Sequence, residues 1–157
     1  MGLIDTLHKR NVIYQGDFQA LADEHDELKR QNKGRYIGRD QECVALPQAL
    51  TDVGYTGRWA PGPRVIDLEF LLPGTVIANF LFENGKARFP CRKGWHAALF
   101  DRFCRGAVMA NGLPCEISVF DQYVGKPAGR RGLAKSTPHW KPMPSDDAAQ
   151  FYVVVVP

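Results

Sequence analysis

Four short apolar runs, each cut off by tight-turn residues, set the frame into which the rest of this chain must fit. Thr75-Val76-Ile77-Ala78-Asn79-Phe80-Leu81-Phe82 follows a Pro73-Gly74 turn and ends at Asn84-Gly85. β-Branched and aromatic residues in a run that short, bounded by turn dipeptides, specify a strand and then a hairpin turn. Trp95 to Phe103 and Glu116 to Tyr123 are two further strands. Gly106, Asn111-Gly112 and Pro114 lie between them and let the chain reverse through a long loop. Phe151 to Val156 is apolar throughout, the pattern of a buried closing strand. Strands that follow one another through reversals lead to a mostly antiparallel sheet.

Helical spacing is confined to the first third of the chain. Gly16-Asp17 can cap a helix that carries Phe18, Leu21, Ala22, His25 and Leu28 on one face and an Asp26–Arg30 pair on the other, ending at Asn32-Lys33-Gly34. A second helix begins near Cys43, with Val44, Ala45, Ala49, Leu50 and Val53 at helical spacing and Gly54 as its stop. Pro47 falls in its first turns, where a missing N–H costs least. Residues 54–63 form a turn-rich loop, and 124–145, rich in Gly, Pro, Lys and Arg, reads as an extended loop. Neither an internal repeat nor a domain boundary is evident. The expectation is one α+β domain over residues 1–157, with N-terminal helices packed on the sheet.

Composition excludes several classes. An apolar fraction of 45% and a charged fraction of 24% suit a globular chain. A net charge of +3 is too small to suggest a nucleic-acid binder. No run approaches the roughly 18 apolar residues of a membrane span. Met1 to Arg10 lacks the charged start, apolar stretch and cleavage site of a secretory signal, so synthesis in the cytoplasm is expected. Met1-Gly2 with Thr6 fits only the short, loose N-myristoylation pattern. The four cysteines form no CxxC pair, which argues against a structural metal site. Cys104 and Cys115 flank the long hairpin loop, and a disulfide or two free thiols fit equally; Cys91 has no evident partner.

Cys43 has two readings. At a helix start, unpaired N–H groups and the dipole favour a thiolate, the nucleophilic form. A small buried thiol on an amphipathic helix is the other. A nucleophile needs a base. His8 and His25 lie in a terminal segment and a charged helix, and His139 in a Pro-rich loop. His96 opens a strand beside the small Ala97 and Ala98, which allow close approach by another element. In the strand to Tyr123, Ile117, Val119 and Asp121 share a face, so Asp121 is an inward carboxylate that requires a partner. If the two strands pair antiparallel, the start of the first meets the end of the second, and His96 meets Asp121. A carboxylate there would orient the imidazole and stabilise its cation.

Four segments in order, Gln41 to Leu46, Leu72 to Phe80, His96 to Phe100 and Val119 to Tyr123, resemble the NlpC/P60 and CHAP superfamily of papain-like cell-wall hydrolases. Within it the sequence is most similar to the small leaderless amidase effectors of bacterial type VI secretion. The resemblance implies a papain-like fold and hydrolysis of an amide bond in the peptidoglycan stem peptide, with Cys43 as nucleophile, His96 as base and Asp121 as its orienting group. No metal or organic cofactor is implied. The oxyanion donors would be the Cys43 N–H with Gln41 or Tyr36, and Trp95 and Trp59, with Tyr55, either line a glycopeptide groove or anchor core and loops. Action in the periplasm of a target bacterium, a cognate immunity protein and a secretion apparatus also follow from the resemblance. The cations Lys126, Arg130, Arg131, Lys135 and Lys141 form either a solvated loop or a surface for an anionic wall or acidic inhibitor. The rival readings are a papain-like protein deamidase or acyltransferase, and a binding module with an inert Cys43.

Overall fold

A computed structural model describes residues 9–157. The myristoylation pattern, His8 and most of the Met1 to Arg10 segment lie outside the described residues. Asp17 caps α1 (Phe18–Arg30) by accepting from the Ala20 N–H at 3.0 Å, and the helix turns Phe18, Ala22 and His25 inward. The expected Asp26–Arg30 pair is not made. Arg30 pairs with Glu27, while Asp26 accepts from both the backbone and the guanidinium of Arg130 across the sheet.

The second helix, α2, spans only Ala45–Leu50. Cys43 and Val44 belong to the turn before it, not to its first turn. At its far end the Thr51 hydroxyl donates to the Pro47 carbonyl at 2.7 Å and accepts from the Val53 N–H at 3.2 Å. That local competition stops the helix short of Val53, although Val53 is still buried.

The sheet is antiparallel in every pairing described. β3 (Val76–Asn79) pairs with β6 (Ala97–Phe103) on one side and with β9 (Phe151–Val156) on the other. β6 continues to β7 (Ile117–Tyr123), and β7 to β8 (Lys126–Leu133). The far end of β9 also takes β1 (Arg10–Asn11), and β2 (Ala60–Arg64) pairs along β9 from Val155 to Tyr152. The 75–82 run is not one strand. It breaks at Phe80, and β4 (Leu81–Glu83) turns through Asn84 and Gly85, both at positive φ, into β5 (Lys86–Arg88) as a separate ribbon.

Residues 126–133 are a strand and not the loop the composition suggests. Side-chain hydropathy hides it because its cations are matched by buried acids and its backbone pairs with β7. Lys and Pro are what an edge strand tolerates, and Pro127 sits where the register slips between Asp121 and Tyr123.

Strand alternation divides the apolar residues into two layers. Val76, Ala78, Ala97, Leu99 and Phe120 face α1 and α2, packing with Phe18, Ala22 and Leu46. Ile77, Ala98, Phe100, Ile117 and Val119 face the other way, onto Val65, Ala148, Phe151 and Val153. Cys104 and Cys115 are joined as a disulfide at the base of the β6–β7 loop, with Cα atoms 5.4 Å apart.

Candidate active site

Three elements meet where β6 begins. His96 immediately precedes β6, and Asp121 lies near the end of β7 on the Ile117–Val119 face. Antiparallel pairing through Leu99↔Phe120 and Phe100↔Val119 brings the two together. The His96 Nε2 and an Asp121 oxygen are 2.7 Å apart, with His96 4% and Asp121 0% exposed. Since Nε2 is taken, Nδ1 is the ring nitrogen left for a further partner.

Cys43 reaches the same ring from the helical layer. Its thiol is half-buried, lies 4.0 Å from the Trp95 carbonyl, and is near enough to His96 to raise the imidazole pKa. Accessibility therefore falls from the thiol inward to the imidazole and then to the carboxylate. Among the described residues no acceptor takes the Cys43 N–H, which leaves a donor free at the sulfur.

Electrostatics follow from this stacking. Burial alone would lower the His96 pKa, but the hydrogen bond to Asp121, the interactions with Cys43 and the Asp121 charge raise it to about 9. His96 is then imidazolium at neutral pH. Burial would raise the Asp121 pKa. Instead the His96 hydrogen bond and the charges of Arg131, His96 and Lys126 hold it far below the carboxylate range.

Two partners of Asp121 come from β8. Lys126 Nζ donates to one carboxylate oxygen at 2.9 Å, and Arg131 Nε to the other at 3.0 Å. Neither is legible in the sequence as a partner of Asp121, because a basic stretch reads there as a solvated loop or a surface for an anionic partner. The usable signal was the buried Asp121 itself, which needs more than one donor for its lone pairs.

Gln122 points to the opposite face, as strand period requires, and is fully buried. Its side-chain oxygen accepts from the Ile37 N–H at 2.7 Å, and its amide donates to the carbonyls of Ile37, Asp40 and Glu42 at 2.9, 3.2 and 3.1 Å. A single side chain thus holds the segment that delivers Cys43.

The other expected residues are distributed unevenly. Tyr36 accepts from the Gly125 N–H at 3.1 Å, tying the approach loop to the β7–β8 turn. Gln41 is exposed two residues before Cys43, and Trp95 is half-buried with its carbonyl near the thiol. Trp59 is not a groove wall. It is 4% exposed, packs against Phe89 with ring centroids 5.1 Å apart, and donates to the Gly54 carbonyl. Tyr123 stands at the surface with its ring 6.1 Å from His96, and Tyr55 is exposed elsewhere.

No curated protein matches the chain. The solved structure of Type 6 secretion amidase effector 2 (Tae2) is similar with a TM-score of 0.60, over 83% of this chain and 92% of that one, at 24% sequence identity. That likeness is one of fold: α+β, few helices, a mostly antiparallel sheet. The sequence profile of Domesticated amidase effector 2 (Dae2) matches residues 20–154, and the chain belongs to that family.

Proposed function

We propose that this protein, as a single papain-like domain of the NlpC/P60 and CHAP type, hydrolyses an amide bond in peptidoglycan stem peptides. The observation that carries the reading is one imidazole held between a half-exposed thiol and a buried carboxylate. The family's name, an amidase effector, supports the reaction class.

In this reading His96 takes the proton of the Cys43 thiol, and the sulfur attacks the carbonyl carbon. The Cys43 N–H faces the developing oxyanion. Collapse breaks the C–N bond, and the leaving amine takes the proton from His96 Nδ1. Water then attacks the thioester, His96 accepts its proton, and the C–S bond breaks to return the thiol. Asp121 keeps the ring oriented and its cation stabilised in both halves. A substrate of this kind places the action in the cell wall of a target bacterium.

Digestion of purified sacculi, with fragments identified by mass, tests the reading. Cys43→Ala should lose all release of fragments and keep the wild-type melting temperature, and His96→Ala should be as severe. Turnover by a folded Cys43→Ala protein would remove the assignment. If the wild type released no fragment yet its thiol reacted rapidly at pH 6, the deamidase or acyltransferase reading would replace it. A slow thiol would leave the binding-module reading.

A further inference from the structure

Beyond its bond to His96, the Asp121 carboxylate carries two more donors. Lys126 and Arg131 lie on β8 on either side of the register slip, and each aims its charge at a different carboxylate oxygen. Neither behaves as a surface cation: their side chains are 14% and 17% exposed. Lys126 Nζ also lies within hydrogen-bonding reach of the carbonyls of Asp121, Pro127 and Gly129, at 2.9, 3.3 and 3.3 Å, which share its two remaining hydrogens. Arg131 is fixed at its far end by Asp146 at 2.9 Å and the Ser145 carbonyl at 3.0 Å.

One carboxylate facing three cationic donors cannot give each its full charge. Asp121 with His96 alone would bind the imidazolium proton very tightly in so dry a site. Such a proton would pass reluctantly to a leaving amine, since a good catalytic acid has a pKa near the working pH. We propose that Lys126 and Arg131 are positioning residues that share the Asp121 charge with His96 and thereby set how readily the imidazole releases its proton. The remaining charged or titratable groups around it are few. Cys43 approaches from the turn before α2, and Asp146 lies behind Arg131. Lys29 of α1 acts on Lys126, and the Tyr123 ring lies beside His96. The catalytic consequence rests on the hydrolase reading; the sharing of charge does not.

The test follows His96 by NMR as pH is raised, without substrate, and in parallel the alkaline limb of Cys43 alkylation in a Cys91→Ser background. That background removes the exposed second thiol. Lys126→Met and Arg131→Gln should each move both titrations upward by about one unit, as expected for removing a charge within several ångströms of the site. Unchanged titrations in the folded variants would overturn the proposal. If one variant fails to fold, the other carries the measurement. Loss of fold in both would also overturn it, by showing that the cations hold the sheet and do not tune the histidine. Because no substrate is used, failure of the protein to digest sacculi would leave this result standing on its own.

Discussion

Replacing Gln122 by Leu keeps the volume of a fully buried side chain and removes all its polar contacts. Four polar contacts disappear: the bond from the Ile37 N–H, and those by which the two amide hydrogens are shared among the carbonyls of Ile37, Asp40 and Glu42. Asp40 and Glu42 are exposed, so water can replace those two bonds at little cost. The Ile37 N–H and C=O are half-buried against the new apolar group, and stranding them costs about 1–3 kcal/mol each before any relaxation. A loss of about 3 kcal/mol is the expected sum, or ~6–12 °C in melting temperature for a domain of this size. The second effect is on the site. The clamped segment ends one residue before Cys43, so its loosening misplaces the sulfur, and a displacement near 1 Å can cost about 100-fold in rate. Thermal melts followed by circular dichroism, with sacculus digestion at a temperature where the variant remains folded, read both effects. The His96–Asp121 pairing should persist, because Gln122 lies on the other face of β7. A variant that melts within about 2 °C of the wild type and digests at the same rate would refute the clamp.

His96 has a folded pKa raised to about 9, above its ordinary 6.5, so its contribution to stability is fully present below about pH 6.5 and is lost as pH rises through 9. Denaturant midpoints should fall across that window, and hydrolysis should show an alkaline limb near pH 9 in a kcat/KM profile. His25 is the opposite case: burial pushes its pKa down, and its Nδ1 has no partner among the described residues. Its contribution is present above about pH 6.5 and lost as pH falls through the folded value, so His25→Phe, packed on Phe120, should lessen the drop in melting temperature between pH 7 and pH 5. Reducing the Cys104–Cys115 disulfide should destabilise the fold by about 2–4 kcal/mol, measured as a lower denaturant midpoint with reductant present.

Local pattern was enough to determine the strands that carry the site. Turn dipeptides delimit β6 and β7, and two-residue alternation puts Asp121 with Ile117 and Val119. One antiparallel hairpin then brings His96 against it. Such relations depend on neighbours a few residues apart and on a single reversal, so composition and spacing reveal them. The Asp17 cap of α1 was legible for the same reason.

Tertiary structure alone decided the rest. Hydropathy cannot announce β8, because its cations are neutralised by acids on other elements, Asp26 of α1 and Asp101 of β6 far away in sequence and Asp121 across the β7–β8 turn. The same distance hides the hold of Gln122 on a segment about 80 residues earlier, and the burial of Trp59 against Phe89. How Cys43 meets His96 depends on where α2 docks over the sheet. A six-residue helix has too little intrinsic stability to fix its own ends, so packing and the Gln122 clamp set them.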